Sequence, residues 1–259
     1  MTLAVVLLGL LAPLLAPHDP YAQDLGATLQ LPGASHLFGT DEYGRDLLSR
    51  VLYGARLSLL EVGLSVGMAL AVGVPLGLFA GYLGRTADQA ITWATDILYA
   101  FPGIVLAILI VSILGPSLIN TLIAISIFAV PAYVRLGRSL TLSLKQMEYT
   151  EAARALGAGT SRVMFVHILR NALAPILVQA TLTAGEVILT AAGLSFLGLG
   201  AQPPTPEWGA MMSDGRNYLG VATHLSLFPG LAITFTVLGL NLFGDGLRDR
   251  LDPRFRGRL

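Results

Sequence analysis

The chain has 259 residues, 54% of them hydrophobic and only 12% charged, about half the charged share of an ordinary soluble domain, which argues against a soluble enzyme. Sixteen Lys and Arg balance sixteen Asp and Glu, so there is no basic field to hold nucleic acid and no charge excess to keep the chain unfolded. The absence of Cys removes disulfide frameworks, thiolate zinc sites, iron–sulfur clusters and Cys nucleophiles together, while a mean hydropathy of +0.70 with 29 Gly and 14 Pro describes an all-α, polytopic membrane protein packed through small residues.

Crossing a hydrocarbon core of about 30 Å takes about 20 mostly apolar residues. Stretches 57–80, 91–114, 117–134, 172–193 and 225–244 satisfy this. The first apolar stretch, 2–15, reaches only about 21 Å as a helix. No Lys or Arg precedes it, and Pro13, Pro17 and Pro20 stand where a signal peptide would carry small residues, so it reads as a first span whose cytoplasmic beginning is missing. The organisation is then a first helix at 1–16, an extracytoplasmic loop at 17–56, and the transmembrane domain at 57–259 with a long inner loop at about 145–170.

Six spans with both termini in the cytoplasm place twelve of the sixteen basic residues inside: Arg85, the group from Arg135 to Arg170, and the tail from Arg248 to Arg258. Only Arg45, Arg50, Arg56 and Arg216 lie outside, as the positive-inside rule requires. No internal repeat suggests inverted transporter halves.

Catalytic patterns are missing. No phosphate-binding G-x-x-x-x-G-K-[ST] exists, and Lys145 is the single Lys. His18, His36, His167 and His224 fall in four separate segments without H-E-x-x-H, so no metal site is expected. Ser195 lacks the second Gly of a nucleophile elbow and reads as a cap or packing residue.

The inner loop carries the signal. Glu151-Ala152-Ala153-Arg154-Ala155-Leu156 favours helix, whereas Gly157 and Gly159 each cost about 1 kcal/mol inside one. The spacing predicts a short helix, a Gly-permitted bend and a second helix leading to the membrane; a solvated amphipathic loop is the plain alternative. Ala152 and Ala153 allow close backbone approach, and Glu151 offers a charge to a basic partner or to its own helix N-terminus.

Glu151, Ala152, Ala153 and Gly157 match the cytoplasmic E-A-A-x-x-x-G loop of the permease subunits of binding-protein-dependent ABC importers. Nearly the whole chain resembles the second-permease type of the dipeptide/oligopeptide/nickel group, through Phe38-Gly39-Thr40-Asp41-Glu42-Tyr43-Gly44-Arg45-Asp46, Gly81-Tyr82-Leu83-Gly84, Leu194-Ser195-Phe196-Leu197-Gly198-Leu199-Gly200, Trp208-Gly209-Ala210-Met211 and Gly244-Asp245-Gly246-Leu247-Arg248-Asp249. The resemblance implies a type I ABC importer permease fold in a bacterial or archaeal cytoplasmic membrane. Its partners would be a homologous second permease, two ABC ATPase subunits that hold ATP and Mg, and an extracytoplasmic solute-binding protein. A coupling helix with Glu151, Ala152, Ala153, Gly157 and Ala158 would meet the ATPase, and this chain would hold no cofactor. The solute would be a peptide or a similar small solute, nickel included. Two departures stand out: Arg170 where relatives carry Pro, and Ala191 where many carry an acid.

Asp96 and Glu186 are acids within spans, where lipid exposure costs at least about 2.5 kcal/mol, and are candidates for the pathway or for packing. In the runner-up reading, a stand-alone ion-coupled secondary transporter, they would couple ions; an intramembrane enzyme ranks third, without a motif. Asp41, Arg45 and Asp46 are candidates for outer-face docking, with an internal Arg–carboxylate clasp the rival. The series Gly63/Gly67 and Gly73/Gly77/Gly81 lines helix faces for close packing, and Trp208 reads as an interfacial anchor.

Overall fold

A computed structural model describes residues 2–251. The basic residues Arg254, Arg256 and Arg258 counted on the inner side lie outside the described residues. Among the described residues the regular elements are all helices, apart from a single isolated bridge between Thr40 and Asp46. Helices α1 (Thr2–Leu10) and α2 (Ala12–Leu15) are short. Four long helical stretches have the length and apolarity of membrane spans: α3 (Leu47–Leu83), α6 (Leu118–Leu144), Thr160–Phe196, and α11 (His224–Leu251). Between α3 and α6 lie α4 (Arg85–Tyr99) and α5 (Gly103–Leu114).

The stretch read as one span at 91–114 is two helices meeting at 88°. Pro102 explains the break: it has no N–H to donate, sits in an extended conformation and becomes the N-cap of α5. α5 alone is about 18 Å long and falls short of the hydrocarbon core. The pair counts as a fifth span only when taken together, and the nine residues of α1 are too short for a sixth.

Other helices run past the apolar windows because their caps lie outside them. α3 begins at Leu47, inside the stretch read as loop, since the Asp46 side chain accepts the Ser49 N–H as an N-cap. It ends at Gly84, with φ +65°. Its 37 residues extend about 56 Å. Ser117 caps α6 through the Asn120 N–H.

Close backbone approach joins α3 to α6. A Cβ on Gly77 would stand 2.5 Å from the Val134 carbonyl oxygen, and Gly73 and Gly81 would meet α6 at 2.7 Å. Gly63 and Gly67 have nothing within 4 Å, so the packing expected of all five holds for three. One end of the bundle carries the loop 17–46 and the 197–223 connection; the opposite end carries the α3–α4 junction and the segment 145–168.

Candidate functional site

At that second end, α6 closes at Lys145, whose ammonium donates to the Gly81 carbonyl at 2.8 Å and ties the start of the segment to the end of α3. Helix α7 (Glu148–Ala155) follows. Thr150 is fully buried beneath it and donates its hydroxyl to the Leu144 carbonyl at 2.9 Å. Glu148 and Glu151 occupy its first turn and Arg154 its last, each complementing the helix dipole. Arg154 also lies over the Tyr82 ring, 5.2 Å from its centroid.

Gly157 terminates α7 in a Schellman motif. The Gly157 N–H donates to the Arg154 carbonyl at 2.9 Å and the Ala158 N–H to the Ala153 carbonyl at 3.0 Å. Gly157 has φ +84° and nothing within 4 Å of its missing Cβ, so the backbone, and not crowding, calls for glycine. Glu151, Ala152 and Gly157 are exposed, Ala153 and Ala158 partly so. Leu156, 88% exposed at the tip, is an apolar side chain with no cover. Sequence reasoning passed over it because a lone Leu beside a glycine pair has no periodicity to mark it.

Beyond the bend, α8 (Thr160–Arg162) leads into a π-helical turn, Val163–Ile168, and then α9 (Leu169–Phe196). Val163, Met164 and Ile168 are buried, while Phe165 packs edge-on against Phe79 of α3. Arg170 is exposed, and the helix runs through it unbroken. Ala191, the other departure, is buried.

The two acids that sequence placed within spans, Asp96 and Glu186, both come near Tyr99. Asp96 accepts from Arg135 of α6 at 2.8 Å, and the Arg135 guanidinium lies 4.0 Å from the Tyr99 ring centroid. Glu186 is exposed on α9 within electrostatic reach of Tyr99 and Tyr133. A second pair, Asp88 with Arg138, adds another α4–α6 tie, with Nη2 to Oδ2 at 2.7 Å. Sequence reasoning also omitted Glu61, although an acid in the apolar run 57–80 was visible. It is 2% exposed, with Oε1 lacking a partner, and interacts electrostatically with Glu207. Glu207 caps α10 (Trp208–Gly215), accepting the Gly209 and Ala210 N–H groups. Burial pushes its carboxyl above the usual value, against those two hydrogen bonds.

At the other end, Asp41, Arg45 and Asp46 are 4%, 4% and 2% exposed. The Asp41 carboxylate accepts the Arg45 Nε at 2.6 Å and lies 3.3 Å from the Arg50 Nε. Arg50 in turn donates to the Pro20 and Pro204 carbonyls. This is an internal clasp that orders the loop. Trp208 is not an interfacial anchor: it is 2% exposed and donates Nε1–H to the Val51 carbonyl at 2.9 Å. The fold also brings together His18 and His36, both from the loop read at 17–56, with His36 Nδ1 2.9 Å and His18 Nδ1 3.6 Å from Asp46 Oδ1. Burial opposes ionisation of Asp46, but hydrogen bonds from Ser49 and His36, with His18 nearby, together hold its carboxyl below the ordinary value.

The family described as "Binding-protein-dependent transport system inner membrane component" matches residues 73–257. The dipeptide transport system permease protein DppC of Alkalihalophilus pseudofirmus is 52% identical over 97% of this chain and 83% of that protein. The di/tripeptide transport system permease protein DppC of Pseudomonas aeruginosa is 50% identical over 98% and 86%. The glutathione transport system permease protein GsiD of Pectobacterium atrosepticum is 45% identical over 98% and 85%. Among solved structures, an inward-facing MetNI methionine ABC transporter chain aligns with TM-score 0.62 at 18% identity, over 80% of this chain and 98% of that one, which establishes the fold. Nothing in these matches supports a stand-alone secondary transporter. The chain belongs to the family of binding-protein-dependent transport system inner membrane components and is an ABC importer permease.

Proposed function

We propose that this permease carries peptides or similar small solutes inward, as one of two related membrane subunits driven by two ATPases that dock on the segment 145–170. The observation that carries the coupling assignment is the exposed α7–Gly157 bend with uncovered Leu156 at its tip. It is anchored to α3 through Lys145 and Arg154 and joined without a break to α9. A push on α7 is therefore passed to two spans at once. Glu151, Ala152, Ala153, Gly157 and Ala158 form the contact surface, with Leu156 as the apolar anchor. ATP and Mg²⁺ belong to the ATPases, and this chain binds no nucleotide.

The peptide assignment rests on the names of relatives at 44–52% identity. Asp96 and Glu186 line the pathway or its seam with the second permease, since an exposed Glu186 is costly against lipid. Asp41, Arg45 and Asp46 shape the outer loop on which a solute-binding protein docks. The chain lies in a bacterial or archaeal inner membrane, with the α7 end of the bundle on the cytoplasmic side. The test is gentle extraction of the tagged chain from its native membrane, followed by mass spectrometry. Recovery of a homologous permease with two P-loop ATPases is expected; recovery of the chain alone, active in ion-driven uptake, would overturn the assignment.

A further inference from the structure

We propose that His18, His36 and Asp46 form a binding site for a borderline divalent metal ion of the Zn²⁺ class, at the end of the bundle opposite α7. The three residues come from different parts of the loop: His18 follows α2, His36 lies midway, and Asp46 is the N-cap of α3. Each offers one ligand atom, and the three atoms lie within 4.8 Å of one another. Both imidazoles direct Nδ1 at the same oxygen, Asp46 Oδ1, at 2.9 Å and 3.6 Å.

Bonds of 2.0–2.1 Å in a tetrahedral zinc site place neighbouring ligand atoms about 3.3–3.5 Å apart. The two observed separations straddle that range. The remaining His–His gap closes by rotation of His18, whose side chain is 45% exposed. Two imidazole nitrogens with one carboxylate oxygen are the donor set of Zn²⁺, Co²⁺ and Ni²⁺, whereas Ca²⁺ and Mg²⁺ require oxygen.

The supporting contacts favour a site over a chance cluster. Asp46 Oδ2 is occupied by the Ser49 N–H at 2.8 Å and the Ser49 hydroxyl at 2.6 Å, which fixes the carboxylate and leaves Oδ1 for the histidines. The His18 backbone N–H donates to the same Ser49 hydroxyl at 3.1 Å, so one serine holds two of the three ligand residues. The His18 ring has no hydrogen bond of its own, and its packing is against the His36 ring, centroids 4.8 Å apart. A plain His36–Asp46 hydrogen bond would need neither His18 nor that alignment. Exposure of His18 leaves the fourth position to water. A bound ion would tie residue 18 to the start of α3 and raise the melting temperature of the protein, because only the folded loop assembles the three ligands.

The test uses the full chain in lipid nanodiscs, purified through a tag without histidine and titrated with Co²⁺, then with Zn²⁺ in competition. We expect one Co²⁺ per chain with the visible absorption of a four-coordinate site, displaced by Zn²⁺. Ser49→Ala weakens binding about 10- to 100-fold by freeing the carboxylate. His18→Ala is decisive, since its ring bonds nothing else: it keeps the melting temperature of the metal-free parent and loses the absorption. Failure of the parent to bind more Co²⁺ than the His18→Ala/His36→Ala double variant would overturn the site. Equal affinity in His18→Ala and the parent would do the same.

Discussion

Gly77→Ala tests the α3–α6 seam. The added Cβ would stand 2.5 Å from the Val134 carbonyl oxygen, 2.9 Å from the Arg138 nitrogen and 3.0 Å from the Gly137 Cα. All three are backbone atoms, so no rotamer relieves the clash. The helices must part by about 0.9 Å to bring 2.5 Å up to the 3.4 Å of ordinary contact, and the contacts at Gly73 and Gly81 loosen with them. Overpacking of this kind costs about 1–3 kcal/mol, set against a helix-propensity gain of about 1 kcal/mol for replacing Gly by Ala. Gly63→Ala on the same helix has that gain alone, because nothing lies within 4 Å. The propensity contribution cancels between the two variants, leaving Gly77→Ala less stable than Gly63→Ala by about 1–3 kcal/mol, or roughly 2–12 °C in melting temperature for a chain of this size. Thermal unfolding in one detergent, followed by helical circular dichroism, reads the difference. Equal melting temperatures would refute the close-approach account.

Further predictions concern the coupling bend, an ion pair and a buried acid. Gly157→Leu forces a branched residue to φ +84° at about 1–2 kcal/mol. It should insert normally yet recover less ATPase in pull-down, while Gly157→Asn, which tolerates that conformation, should recover more; unchanged recovery with Leu would remove the coupling assignment. The Asp88–Arg138 pair is part-exposed, at 20% and 37% for its side chains, and a double-mutant cycle to Ala should give a coupling energy of no more than about 1 kcal/mol. Glu207 has a raised folded-state value, so its contribution to stability is fully present below the ordinary 4.5 and is lost as pH rises through the raised value. Glu207→Gln should therefore gain on the parent as pH increases from 4.5, and a pH-independent difference between the two would contradict the burial argument. Asp46 runs oppositely: its contribution is present above the ordinary 3.8 and fades as pH falls through its lowered value.

The apolar cores of the spans were legible because each needs a run near 20 residues, and that run is a composition signal. Helix ends were less so, since they are set by caps outside the run. Asp46 three residues before Ser49 is a readable cap, yet the apolar window starting at 57 hides it. The break at Pro102 was written in the sequence too, but averaging over 91–114 concealed an amphipathic α4 beside an apolar α5. Gly157 showed itself because only a positive φ makes glycine worthwhile at the end of a good helix former. Trp208 and the His18–His36 pair were not legible. Both depend on loops folding back onto α3 across 157 and 31 positions, and nothing local records such a return. Glu61 was in plain view, an acid among apolar neighbours; its burial needed the fold.

The π turn at Val163–Ile168 makes the aim of the coupling segment a matter of counting. Such a turn accommodates one residue more than an α-helix needs, and each residue of an α-helix advances about 100° and 1.5 Å. Deleting a single residue between 163 and 168 would restore the regular ladder and leave α7 in nearly its present phase about the axis of α9, whereas the same loss from the regular turns of α9 would swing α7 about 100°. The face offered to a partner is thus fixed by phase: the π turn can give up its extra residue, but a one-codon loss from regular α9 that leaves every contact residue in place would point them all the wrong way.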